Sequence, residues 1–233
     1  LENARVPRVI LTTRGIDTDD LTQTFSDLLR EVVAAGEEPT VVLIVTAMVA
    51  PRCSPCATTS PAPSADSLAI AQRKEVEQHV SALSTRLGAR VEPIDCAHDS
   101  LDRMAEVLRR SHCIYVLGGN TFYLLWHMRR SGLDALVRRR VLDEGAVYVG
   151  CSAGSIVAGR SISTAFWKGW DNPHVVPHAD WDEPQAVAAL GLVSVSLFPH
   201  YEAERHAELV QRRRAELGHE LVTLGEAGPA YIV

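Results

Sequence analysis

The feature that most narrows the fold is a repeated exchange of short apolar runs and amphipathic segments along the chain. Residues 8–13 (RVILTT), 40–46 (TVVLIVT), Arg90–Ile94, 113–117 and 146–149 read as strands. The 40–46 run is apolar throughout, as in strands covered on both faces; a strand with one wet face alternates instead. Between these runs, residues 20–35 place Leu21, Phe25, Leu28, Leu29 and Val32 at helical spacing, and a helix ending near Leu87 does the same with Val76, Val80, Leu83 and Leu87. Gly88 closes the second helix. Further helices are expected over 101–110, 121–130 and 133–143, with Gly132 ending the one before it. Strand–helix alternation of this kind predicts an α/β fold: a doubly wound, mostly parallel sheet with helices on both faces. A strand over 193–198, a charged helix over 203–217 and strands over 221–224 and 230–233 complete the expected order. No internal repeat and no boundary interrupts 1–233, so a single domain is expected.

Composition excludes several classes. The net charge of −6 offers no electrostatic footprint for nucleic acid. The runs Arg138–Arg139–Arg140 and Arg212–Arg213–Arg214 read as solvated helix faces. No apolar stretch approaches the roughly 20 residues needed to cross a bilayer, and no secretory leader pattern opens the sequence, so a cytoplasmic protein without membrane partners is expected. The chain begins at Leu1 rather than Met and stops within its last strand, as part of a longer chain would. Its five cysteines are scattered. Cys96 and Cys113 read as small buried hydrophobes. Cys53 and Cys56 form a CxxC in the irregular, Pro-rich stretch 50–66, without the partners a zinc site needs. They read as loop cysteines, and the stretch itself as a lid or a disordered segment. No metal and no cofactor is expected.

The chemistry centres on Gly150-Cys151-Ser152-Ala153-Gly154, which follows an apolar strand and opens a helix rich in small residues. This is the layout of a nucleophile elbow. The turn holds its serine in a strained conformation, and the helix N-terminus beyond it supplies free N–H groups. Cys151 occupies the first variable position, where its side chain points away from the tip, so Ser152 is the expected nucleophile. Gly118-Gly119-Asn120 ends the strand before. Its backbone can approach a ligand closely, while Asn120 can also cap the following helix. Among the nine histidines, His200 lies after Pro199 at an apolar strand's end, where a parallel sheet would bring it beside Ser152 and Gly119. His174, His178 and His206 are the alternatives.

Three segments, Tyr115–Leu125 (YVLGGNTFYLL), Tyr148–Ser155 (YVGCSAGS) and Leu197–Tyr201 (LFPHY), resemble in order the peptidase E and cyanophycinase family of serine peptidases. The resemblance implies a fold related to class I glutamine amidotransferases, of flavodoxin-like type, and hydrolysis of peptides with an N-terminal aspartate or of the cyanophycin polymer. It implies Ser152 as nucleophile, His200 as base, and oxyanion donors at Gly119 and Ala153. The family also carries an acid shortly before the last strand. A gapless comparison puts Ala227 there, one residue past Glu226, so the acid is either Glu226 or Asp171, with Glu226 preferred. Asn120, Lys168 and Tyr201 are candidate substrate contacts; Arg160 and Arg205 are further cations, and Trp167 and Trp170 further pocket walls. The expected function is therefore a metal-independent serine peptidase acting on small peptides through an acyl-enzyme, as a monomer or homodimer. Two other readings use the same residues: a silent family member that binds or regulates, and an esterase or acyl transferase.

Overall fold

A computed structural model describes residues 7–50 and 65–233, the side chains of 65–69 excepted. The loop 50–66, with its cysteines, lies almost wholly outside the described residues. The elements run β1 (Val9–Thr12), α1 (Asp19–Val32), β2 (Thr40–Ile44), α2 (Ala65–Leu87), β3 (Arg90–Ile94), α3 (Leu101–Arg109), β4 (Cys113–Val116), α4 (Thr121–Ser131), α5 (Leu133–Arg138), β5 (Val147–Cys151), α6 (Ala153–Ala158), β6 (Ser196–Tyr201), α7 (Ala203–Arg213), β7 (Leu221–Gly225) and β8 (Tyr231–Ile232).

Six strands form one sheet in the order β3-β2-β4-β5-β1-β8, parallel except for β8, which pairs antiparallel with β1 at the edge. Successive residues of each central strand feed two separate cores. Val9, Leu11, Val42, Ile44, Ile114 and Tyr148 pack toward α3–α6. Ile10, Val41, Leu43, Tyr115 and Val149 pack toward α1 and α2. Both faces are dry, which is why the strand sequences lack a polar alternation. Helix starts are set by side chains that satisfy free N–H groups: Thr18, Ser100 and Asn120 accept from Leu21, Arg103 and Tyr123 at 3.2, 3.3 and 2.8 Å. Gly132, with φ +77°, ends α4 and lets α5 begin at once.

Three expectations change. The helix expected over 133–143 is α-helical only to Arg138 and continues as a π-turn through Asp143. The strand expected to end at Phe198 runs instead from Ser196 to Tyr201, so Pro199 and His200 lie within it, with an irregularity in register between Phe198 and Tyr201. Finally, β6 and β7 pair with each other in a separate two-stranded parallel sheet instead of extending the main one. Trp167, Phe198 and Leu221 form the small core beneath it. Among the described residues, no helix is long and apolar enough to cross a membrane.

Candidate active site

Ser152 stands between β5 and α6 with φ 49° and ψ −105°, a strained conformation for a residue with a side chain. Sterics explain the flanking glycines. A Cβ on Gly150 would come within 2.6 Å of the Gly154 carbonyl oxygen, and one on Gly154 within 2.3 Å of the Val116 carbonyl oxygen. The turn is also tied by hydrogen bonds. Ser152 N–H donates to Thr12 O at 3.0 Å. The buried Ser155 hydroxyl lies 2.7 Å from Thr12 O and 2.8 Å from Gly150 O and accepts from Thr12 N–H at 3.0 Å. The buried Tyr148 hydroxyl donates to Gly154 O at 2.7 Å.

Ser152 Oγ lies 2.9 Å from His200 Nε2, and His200 Nδ1 lies 2.5 Å from Glu226 Oε1. A carboxylate can only accept, so Nδ1 carries the ring proton and Nε2 is left to accept the serine hydroxyl. His200 itself has φ +56°. Its peptide is held from both sides: its N–H donates to Thr13 Oγ1 at 3.3 Å, and Lys168 Nζ donates to the carbonyls of His200, at 3.0 Å, and of Pro199. Thr13 Oγ1 in turn donates to Leu224 O on β7 at 3.0 Å. Thr13 thus joins the end of β1 to both strands of the small sheet.

A cavity of about 220 Å³ opens on this relay, lined among others by Gly119, Ser152, Lys168, Trp170, Asp171 and His200. Gly119 has φ +137°, and a Cβ there would come within 2.1 Å of Ala47 O, so only glycine fits. Asn120 N–H is already bonded to Ala47 O at 2.9 Å, and Gly119 lines the cavity together with Ser152. Ala153 is the first residue of α6, where an N–H has no acceptor within its own helix.

The other expected residues take varied places. Asp171 shares the cavity, but its Oδ2 accepts Thr121 N–H at 3.1 Å, and Glu226, not Asp171, is bonded to His200. Burial raises the Asp171 pKa, with the Thr121 bonds and the charges of His200 and Lys168 acting the other way. Lys168 sits over the rings of Trp170 and Phe198, 4.4 and 4.3 Å from their centroids, and burial lowers its pKa to about 8. Asn120 uses both ends of its amide in the scaffold: Oδ1 caps α4 and Nδ2 donates to Asn172 O at 3.0 Å. Tyr201 and Trp167 pack in the core under the small sheet instead of lining the cavity, whereas Trp170 does line it. Arg205 pairs with Glu202 on the surface, and Arg160 is exposed; neither reaches the cavity. His174 and His178 are exposed, and His206 accepts Glu202 N–H on α7. Cys151 is turned away, its thiol donating to Thr13 O at 3.5 Å and pushed up to about 11 by burial. Cys96 and Cys113 are buried free thiols. Among the described residues, no group of three or more His, Cys, Asp or Glu side chains could hold a metal ion.

Comparisons with known proteins identify the family. The model for peptidase family S51 matches residues 62–231, a stretch that carries Gly119, Ser152, Asp171, His200 and Glu226. An uncharacterized peptidase of Listeria innocua is 34% identical over 128 residues, which is 54% of this chain and 57% of that protein. A Drosophila melanogaster protein named a probable alpha-aspartyl dipeptidase is 38% identical over 108 residues, 46% of this chain and 40% of its own. The chain thus spans about half the length of the curated relatives it matches. In fold, a candidate peptidase E of Listeria monocytogenes aligns over 98% of both chains with a TM-score of 0.60 at 24% identity. Because the family model covers well over half of the sequence, the chain belongs to peptidase family S51.

Proposed function

We propose that the protein is a serine peptidase that hydrolyses small peptides through an acyl-enzyme on Ser152. The observation that carries this reading is the unbroken run from Ser152 Oγ through His200 to Glu226, opening on one small cavity. Ser152 Oγ attacks the scissile carbonyl carbon as its proton passes to His200 Nε2. The carbonyl oxygen becomes an oxyanion and accepts from the amides of Gly119 and Ala153. Collapse of this intermediate breaks the C–N bond, and the imidazolium returns the proton to the leaving amine. Water then attacks the acyl ester with His200 as base, and the serine departs with its proton restored. Glu226 keeps Nδ1 protonated and stabilises the cation that forms.

The contact between Glu226 and His200 supports this reading over that of a silent family member, which an uncertain acid at Glu226 would favour. Peptides with an N-terminal aspartate are a natural first panel, since one relative is named for that specificity. The test is steady-state hydrolysis of dipeptides with Asp, Asn, Glu or neutral first residues. Ser152→Ala should abolish turnover, and His200→Ala should lower kcat by about 10²–10⁴-fold. Turnover that survives Ser152→Ala defeats the proposal.

A further inference from the structure

We propose that the cavity beside Ser152 takes an uncharged, apolar side chain on the residue whose carbonyl is attacked, and disfavours a carboxylate there. This rests on the reading of Ser152 as nucleophile and names the substrate class of that site. The side chain of that residue starts from the carbon next to the scissile carbonyl, about 1.5 Å away, so it enters beside Ser152. Ser152 and His200 both line the cavity of about 220 Å³. An adjoining cavity of about 450 Å³ shares Gly119, Trp170 and Asp171 with it but is lined by neither Ser152 nor His200, and can hold the rest of the substrate.

Away from the nucleophile the wall turns apolar. Ile156 of α6, Ala165 and Phe198 of β6 line the cavity and are buried, at 6, 6 and 1% exposure. Thr164 beside them is buried too, and its hydroxyl is spent on Leu197 O at 2.7 Å. Pro199 continues the wall with no N–H to offer. An apolar side chain against this surface leaves water without stranding a polar group. A carboxylate fares worse. Among the described residues, Lys168 is the one lysine or arginine on the wall. Its ammonium already donates to the carbonyls of Pro199 and His200 and lies over the rings of Trp170 and Phe198. The carboxylates of Glu226, Glu202 and Asp171 already act on that single charge. Arg205 is turned to Glu202 on the surface. A substrate carboxylate would be a fourth anion around one cation, desolvated and without a free partner. The expected preference is thus the reverse of the one in the name of the Drosophila melanogaster relative.

The test measures kcat/KM for dipeptides that differ only in a first residue of Ala, Leu, Met, Phe, Asn or Asp. It uses the parent protein, Ala165→Val and Ile156→Ala, with fluorophosphonate labelling of the parent in parallel. Leu and Met should exceed Asp by about 30-fold or more, and Asn, close to Asp in shape but uncharged, should lie between. Ala165→Val adds bulk to the wall and should lower the Leu-to-Ala ratio by about tenfold, whereas Ile156→Ala opens the wall and should raise the Phe-to-Leu ratio by about as much. Each ratio is taken within one variant, so a loss of folded protein does not move it. Asp equal to or above Leu overturns this inference and leaves Ser152 as nucleophile. So do ratios unmoved by both variants, and so does a parent that is phosphonylated yet cleaves none of the panel. A parent that is never phosphonylated overturns the reading of Ser152 and this inference with it.

Discussion

At the scale of single residues, Lys168 holds the backbone that carries His200 without touching the His200 ring. His200 has a backbone conformation uncommon for a residue with a side chain, and the two carbonyls at and before it are held by one ammonium. Burial lowers the pKa of that ammonium to about 8. The charge is thus present below about pH 8 and lost above it, and with it the charge-assisted part of the two bonds and the attraction to Trp170 and Phe198. Hydrolysis of an ester substrate without an amine should fall as pH rises through about 8. In Lys168→Arg, which stays charged, that alkaline limb should vanish. Stability runs the other way. The native state binds fewer protons than the unfolded chain between about 8 and 10.4, so the contribution of this group to stability rises with pH across that window. Parallel pH–rate and pH–stability curves with the same sign would refute this assignment. Sequence could offer Lys168 as a cation near a site, but not the two carbonyls it meets, because those lie 31 and 32 residues away.

At the scale of elements, the elbow was the most legible part of the chain, because its requirements are local. A strand, two glycines and small residues at fixed spacing can be read without knowing any distant contact. The distances now say why each glycine is needed. Gly150→Ala or Gly154→Ala should destabilise the fold by about 1–3 kcal/mol, because each new methyl meets a backbone carbonyl and not a movable side chain. Chemical denaturation measures this, and a change within about 0.5 kcal/mol would show that the turn can relax. β6 was less legible. Its apolar run suggested an end at Phe198, yet the strand continues through Pro199 and His200 to Tyr201. Pro199 lacks an N–H and so reads as a stop; a two-stranded sheet with a register shift accommodates it. The acid was a matter of one residue. Where a gapless comparison with the family pattern pointed to Ala227, the turn after β7 brings Glu226 to His200.

At the scale of the whole molecule, the candidate site is assembled from two sheets. Ser152 and Gly119 follow strands of the main sheet, whereas His200 and Glu226 come from the small sheet and its turn. The sequence supported one parallel sheet whose strand ends converge; convergence occurs, but across a seam that alternation alone cannot reveal. Thr13 bridges that seam, 187 residues from His200 and 211 from Leu224. A threonine ending a strand reads as an ordinary β-former, so its role was invisible. Thr13→Val keeps the shape and removes both bonds. It should lower kcat by about tenfold or more, with a stability loss of about 1–3 kcal/mol. Unchanged kcat would show that the two sheets hold their relation without it.

Ser152, activated by His200, is the proposed nucleophile on which every step of the hydrolysis depends. The most direct measurement is treatment of the folded protein with a fluorophosphonate, followed by peptide mass spectrometry to locate the adduct. One adduct per chain is expected, on Ser152, absent from Ser152→Ala and formed at least about 100-fold more slowly in His200→Ala. An adduct on Cys151 or another serine, or equal rates with and without His200, would contradict it.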